Sequence, residues 1–334
     1  NKATNDSITD LDLLCIGFQT GFKSSKSVEV YIDNIIIEEI SSESSGTITG
    51  HYNDGTDKTQ VFTGAAGQPF SQPISRQGYL FEGWYTDSAL LNPAVDITFP
   101  QSGTTNLYAK WKRFTAGDSI TLGFADYPYN PETDSEISSL FAIDRTQSAD
   151  GDSVSLRADM NSRDTATALL TYKGYPLLVE DNARYVVSFN YKNLSEIENK
   201  WSVRIYTASP INSGIGEIVQ SSEDTQQRLT LSIAAGFGIW KRHSYNLTID
   251  LDYKGYNALA LNVQTNAFDG DTLRSCIDNI TIRRVAEDDV VCLTNTLAGP
   301  DAFIGKSGEK INLPTDLQLM GYRLCGWFFD SAYT

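Results

Sequence analysis

Cysteine and histidine are scarce in this chain. Its 334 residues hold four cysteines (Cys15, Cys276, Cys292 and Cys325), with no C-x-x-C among them, and two histidines, His51 and His243. A zinc site therefore has few ligands to draw on. Cys292 and Cys325 fall on two predicted strands of one small unit, so a disulfide between them is geometrically conceivable, but buried free thiols are the stronger expectation. Basic charge is also short: 26 lysines and arginines stand against 42 acidic residues, a formal charge of −16. Such a surface repels nucleic acid and anionic lipid headgroups. No apolar run approaches the roughly eighteen residues of a membrane span, so no membrane insertion is expected in this segment. Phosphate-binding loops, G-x-S-x-G, H-E-x-x-H and EF-hand loops are all missing. No pair of carboxyls sits in a context that would drive two pKa values apart. These absences argue against an enzyme. Heptads are absent too, while Gly, Ser, Thr, Asn, Asp and Tyr are common, a mix that favours several β domains over one α/β enzyme.

What the chain does contain is repetition. "YIDNIIIEEI" at 31–40 returns as "CIDNITIRRV" at 276–285, an offset of 245, and "LLCIGFQT" at 13–20 matches "ALALNVQT" at 258–265 at the same offset. "GYLFEGWYTDSA" from Gly78 returns as "GYRLCGWFFDSA" from Gly321, an offset of 243. The order is the tail of one unit (X), a whole second unit (Y), a whole X, and the start of another Y. The expected boundaries are 1–42 for the truncated X, 47–112 for Y, 116–287 for the complete X and 289–334 for the incomplete Y. Residues 14–40 are expected to repeat the strands of 259–285. The pattern reads as a window on a tandem array continuing in both directions, with a filament of strand-sharing copies as the less favoured version. The connections "SSESSG", "RFTAGD" and "AEDD" are short, which gives neighbouring domains little freedom and suits a semi-rigid stalk.

Unit Y shows four short strands: "TITGHY", "KTQVFT", "GYLFEGWY" and "NLYAKWK". The first two are joined through the turn signal "NDG". Trp84 and Trp111 are large enough to nucleate a core in so small a unit. The stretch from Gly78 to Trp111 resembles the Listeria–Bacteroides repeat, the B-repeat of internalin-type surface proteins, which is written around G-Y-x-F-x-G-W-Y and a closing L-Y-A-x-W. The resemblance implies a small β-grasp-like module of secreted bacterial surface proteins, a spacer or adhesion element without catalysis.

Unit X carries nine or so short strands separated by turn residues, the signature of an antiparallel sandwich with Greek-key or jelly-roll connections. "FAD" at 124–126, "SADGDSVSL" at 148–156, "ARYVVSFNYK" at 183–192, "IWKRHSYNLTI" at 239–249 and "CIDNITI" at 276–282 resemble, in that order, carbohydrate-binding modules of the galactose-binding-like jelly-roll group. The fold class expected is thus all-β and multidomain, with β-sandwich (jelly-roll) units alternating with small β-grasp-like repeats.

Period-2 alternation divides the X strands into faces. Tyr185, Val187, Phe189 and Tyr191 share one side. So do Trp201, Val203 and Ile205, and so do Leu259, Leu261 and Val263. If these strands share a sheet, the opposite sides collect Asn190, Arg204, Tyr206, Asn262 and Gln264. Amides and a guanidinium pair with hydroxyls, and an aromatic ring stacks on a pyranose, so this set is the candidate glycan site. An ordinary solvated sheet face has the same pattern. The resemblance also implies a structural calcium ion joining the first strand, a Gly-containing loop and the last strand. The matching positions are Asp126, the loop with Gly151 and Asp152, and Asp278, carboxylates and carbonyls of the kind Ca²⁺ takes. The alternative for these residues is a polar turn and an Asp capping a strand end.

Together these readings give a non-catalytic segment of a bacterial extracellular, cell-surface or secreted repeat protein. It would act as a stalk or filament with glycan adhesion through X. Its partners would be a polysaccharide or cell-surface glycan and further repeats. The alternative is the accessory carbohydrate-binding region of a large secreted glycoside hydrolase.

Overall fold

The computed structural model describes residues 45–122, 124, 140–152, 154–195, 199–208, 228–233, 238–249, 251, 257–265, 272–294, 302–313, 318–319, 322–323 and 325–327. These residues belong to one compact unit, Ser44–Thr334. The sandwich tail expected at 1–42, and with it the repeat of 259–285 at 14–40, falls outside them. Among the described residues every regular element is a strand and none is a helix, so no helix is long enough to cross a membrane.

Unit Y folds as a four-stranded sheet of β1 (Ser45–His51), β2 (Thr59–Ala65), β3 (Tyr79–Tyr85) and β4 (Thr104–Arg113), in the order β2-β1-β4-β3. The turn between β1 and β2 puts Asn53 and Gly55 at positive φ, conformations open to Asn and Gly. The central pair β1–β4 is parallel, with Ile48 opposite Thr105 and Gly50 opposite Leu107. Alternate residues Ile48, Phe62, Phe81, Trp84, Leu107 and Ala109 meet on one face with Phe70 and Phe99. Trp84 is buried, and its indole donates to the Gln72 carbonyl at 2.9 Å. Trp111 packs at the margin and donates to the Tyr52 carbonyl at 2.6 Å. Both rings thus serve the core, as their size suggested.

Unit X is a two-sheet sandwich. Its strands are β5 (Ser119–Leu122), β6 (Phe141–Asp144), β7 (Ser155–Met160), β8 (Thr165–Leu169), β9 (Thr171–Tyr172), β10 (Tyr175–Pro176), β11 (Arg184–Asn193), β12 (Asn199–Ala208), β13 (Arg228–Ile233), β14 (Lys241–Thr248), β15 (Ala258–Thr265) and β16 (Leu273–Val285). One sheet runs β14-β11-β16-β7-β6, with β5 also on β16; the other runs β13-β12-β15-β8. Strand β16 is long enough to pair with β7 through 273–277 and with β5 through 280–283. Val187 and Phe189 from one sheet and Val203, Ile205, Leu259, Leu261 and Val263 from the other form the core between them. Each such side chain, fully buried, contributes about 1.5–3 kcal/mol. Strand β6 and the tight hairpin β9–β10 were not legible in the sequence, because both are too short to show a period.

After β16, β17 (Asp289–Leu293) and β18 (Ala302–Lys306) form an antiparallel pair. Val291, Leu293, Ala302 and Ile304 pack on Val186 and Val285 of the sandwich. The guanidinium of Arg184 donates to the carbonyls of Ala286, Glu287 and Asp289 at 3.0, 2.5 and 3.0 Å. This connection is therefore held by side chains as well as kept short. Cys276 is buried, Cys292 is half-buried and Cys325 is exposed, and no disulfide joins Cys292 to Cys325. Cys325 departs from the expectations of burial and of a strand position: it is exposed and lies past the short strand Tyr322–Arg323.

Candidate functional site

The candidate glycan residues divide between the two sheets. Arg204 and Tyr206 lie on β12, and Asn262 and Gln264 on β15. Strand β12 pairs antiparallel with β15, placing Arg204 opposite Asn262, Ser202 opposite Gln264 and Tyr206 opposite Ala260. Directly opposed residues share a face, so these four positions belong together on the outer side, away from Val203, Ile205, Leu261 and Val263. The same rows continue onto the flanking strands. Thr165 opposes Gln264 and Thr167 opposes Asn262, while Arg228 opposes Arg204 and Thr230 opposes Ser202. Thr165, Thr167 and Arg228 were missed because only strand order and register, which no local pattern encodes, reveal them as neighbours.

Asn190 is not part of this face. It lies on β11, in the other sheet, opposite Arg242 on β14 and Asp278 on β16. The condition that all these strands share a sheet fails because the chain crosses the sandwich between β11 and β12. Asn190 instead accepts a hydrogen bond from Arg242 Nη1 at 2.8 Å, while Arg242 Nη2 reaches Ser188 Oγ, also at 2.8 Å. Asn262, though on the outer face, is 5 % exposed, and its amide donates to the Ala166 carbonyl at 3.4 Å. One end of this face is closed by Leu178, packed on Leu169, Ala258 and Ala260. Gln264, half-buried, lies towards the other end.

The acidic site forms on the outside of the first sheet. Asp278 is not at a strand end. It sits within β16 at a bulge, where the register of β11 shifts between Ser188 and Asn190. Asn279 absorbs the extra residue with a φ of 48°, which asparagine tolerates better than most residues. The bulge lets Ile277 and Ile280 both face the core while Asp278 stays on the other side. This accounts for the order Ile-Asp-Asn-Ile in the sequence. The 148–152 loop folds over Asp278 and leaves it 0 % exposed. Its two oxygens accept from the backbone N–H of Ala149 and of Asn279, each at 2.7 Å.

In the loop, Ser148 Oγ lies 2.9 Å from an oxygen of Asp150 and 2.9 Å from one of Asp152, its single O–H shared between them, and Gly151 takes a φ of 93°. Oxygens of Asp150, Asp152 and Asp278 all lie within 4.8 Å of one another. Burial, then the like charges of Asp150 and Asp152, push the Asp278 carboxyl up to about 6 against two opposing hydrogen bonds. A buried carboxylate crowded by two others is a donor set that fits a hard divalent cation. Asp150 joins Asp152 and Asp278 as a residue the sequence comparison had not singled out. Asp126 lies outside the described residues.

Residues 47–110 match the Listeria-Bacteroides repeat domain. The match covers the Y sheet and ends within β4. Among solved structures, about half of the chain is similar to carbohydrate-binding modules. A family 27 module from Caldicellulosiruptor saccharolyticus, in complex with mannohexaose, is 12 % identical over 50 % of this chain and 97 % of its own, with a TM-score of 0.30. A xylan-binding family 22 domain from Paenibacillus barcinonensis is 12 % identical over 51 % and 97 %, with a TM-score of 0.29. A family 28 module specific for non-crystalline cellulose is 12 % identical over 52 % and 97 %, with a TM-score of 0.31. No curated protein sequence matches the chain.

Proposed function

We propose that this chain is a non-catalytic glycan-binding segment of a bacterial extracellular repeat protein, in which the Listeria–Bacteroides repeat spaces and orients the jelly roll. The observation that carries the reading is the outer face of the β13-β12-β15-β8 sheet. Its register brings Arg204, Gln264, Thr165, Thr167 and Arg228 into two adjacent rows around the nearly buried Asn262. Arg204 and Arg228 stand directly opposite each other on a chain of net charge −16. A glycan bearing carboxylate or sulfate groups would make charge-assisted hydrogen bonds with guanidinium groups at these two positions. The substrate class proposed is therefore an acidic polysaccharide. The short side-chain-braced connections support a stalk of limited flexibility, with further repeats of the chain as its neighbours.

Calcium is proposed as a structural ion held by Asp150, Asp152 and Asp278. Its charge would offset the three carboxylates and fix the 148–152 loop on β16. The test of the functional reading is a glycan array on the full chain, with neutral and acidic polysaccharides side by side. Binding to acidic glycans that is lost in Arg204→Ala and Arg228→Ala supports the reading. Binding to no glycan, or binding indifferent to both substitutions, sinks it.

A further inference from the structure

The boundary between the repeat and the jelly roll is not a boundary between cores. Tyr175 belongs to unit X by sequence, yet it is part of the buried core cluster of the repeat, with Phe81, Trp84 and Leu107 among its members, and is 1 % exposed. In the other direction Leu80, on β3 of the repeat, and Phe114, just after β4, pack into the jelly-roll core at 6 % and 3 % exposure. Each unit thus lends side chains to the other. On β3 the alternation explains how: Phe81 faces the repeat's own core, so Leu80 faces the opposite side, where the sandwich lies.

The element that reaches across is the β9–β10 hairpin. Tyr172 pairs with Tyr175 around a two-residue turn in which Lys173 and Gly174 have φ of 50° and 83°. Two consecutive positive φ values are the mark of the tight hairpin turn that matches strand twist. The hairpin is rooted in the second sheet of the sandwich, where Leu177 N donates to the Leu170 carbonyl and Leu170 N to the Leu259 carbonyl. At its tip the Tyr175 hydroxyl accepts from the backbone N–H of Phe81 at 2.5 Å, and its ring meets Phe81 edge-on at 5.9 Å. Strand β3 is an edge of the repeat's sheet, and this hydroxyl satisfies one of the N–H groups such an edge leaves open.

Around the tip, polar contacts fix the angle. Gly78 N donates to the Leu178 carbonyl at 2.9 Å, Gln77 Nε2 to the Val179 carbonyl at 3.0 Å and Ser75 Oγ to the Pro176 carbonyl at 3.0 Å. Arg113 pairs with Glu180 at 2.7 Å. Gly78 has a φ of 73°, and a Cβ there would come within 2.6 Å of the Glu180 carboxyl carbon. The positive φ favours glycine at this joint, where any side chain would also displace the Glu180 carboxylate, and the duplicated phrase keeps the glycine in its second copy as Gly321.

We propose that the Thr171–Pro176 hairpin is a docking element for the preceding Listeria–Bacteroides repeat, and that the repeat completes its core only with Tyr175 of the jelly roll that follows. The partner this surface fits is a repeat presenting an open β3 edge with Phe81 and a glycine at the position of Gly78. Repeat and jelly roll then form one cooperative unit in a fixed orientation, whether or not a glycan binds the jelly roll.

The test is hydrogen exchange resolved by strand on the full chain, wild type against Tyr175→Ala and Leu80→Ala. Tyr175→Ala, a substitution in the jelly roll, should speed exchange in β1 and β4 of the repeat by roughly tenfold or more, far beyond the hairpin itself. Leu80→Ala, a substitution in the repeat, should likewise speed exchange in β11 and β16 of the sandwich. Faster exchange confined to the hairpin in Tyr175→Ala would overturn the proposal. Thermal unfolding of the wild type gives a reading that survives a failure of these variants to fold. One transition shared by both sets of strands is expected, and repeat strands that melt separately from the sandwich would refute the docking.

Discussion

His243 provides a sharp test of how the sandwich is held at its edge. It sits on β14 opposite Phe189, with ring centroids 6.2 Å from Phe189 and 6.4 Å from Tyr245. Burial pushes its imidazole down from the ordinary 6.5 to about 4. The titratable neighbours on this inner face are Tyr191 and Tyr245, whose phenols burial raises, so neither offers a negative charge. Between about pH 6.5 and pH 4 the unfolded chain takes up a proton that the folded chain refuses. Stability must therefore fall as pH falls through that window, and the contribution is fully present above it. A shift of this size corresponds to about 3 kcal/mol as an upper bound, with partial exposure of the ring reducing it towards about 2.

Asp278 acts with the opposite sign. Its raised carboxyl favours the protonated folded form, so its contribution to stability grows as pH falls from about 6 towards 3.8. The wild-type curve alone would mix the two. The measurement is urea unfolding of wild type and His243→Phe from about pH 8 to about pH 4, because Phe keeps a ring in the same place without a titrating nitrogen. The difference between the two proteins should be small at neutral pH and widen by about 2–3 kcal/mol at the acid end in favour of Phe. Parallel curves across the whole range would show that the imidazole is not desolvated, and would refute the packing described for the β14 edge.

Calcium should raise the melting temperature of the chain, by the equivalent of about 2.7 kcal/mol when it is present at a hundred times its Kd. Asp278→Asn should remove that response, and identical melting curves with calcium and with chelator would discard the site. Arg204→Ala or Arg228→Ala should each weaken binding to an acidic polysaccharide by about tenfold, the loss of a charge-assisted hydrogen bond, with an unchanged melting temperature. A fall in melting temperature that tracks the loss of binding would instead mark these arginines as structural. Leu261→Ala, at the centre of the sandwich and 0 % exposed, should cost about 2–5 kcal/mol by urea unfolding; a cost below about 1 kcal/mol would contradict the packing of β15 between the sheets.

Much of the fold was legible in the sequence, because strand alternation and turn residues are local properties. The four strands of the repeat, its two core tryptophans, the main strands of the jelly roll and their inward faces all follow from period-2 spacing and Gly, Asn and Asp at the turns. So did the repetition itself, and with it the resemblance of the stretch from Gly78 to Trp111 to a known repeat. What the tertiary structure decided was which strands share a sheet. Asn190 and Asn262 carry the same local pattern, yet β11 and β15 lie in opposite layers, because pairing depends on contacts between residues far apart in the chain. Only the fold could bring Arg228 opposite Arg204, or lay Asp150 over Asp278, since a bulge and a loop closure bring those groups together rather than any spacing. The same reason hid the hairpin at Thr171–Pro176. Its two short strands hold no period, and the burial of Tyr175 belongs to a core whose other residues lie some sixty or more positions upstream.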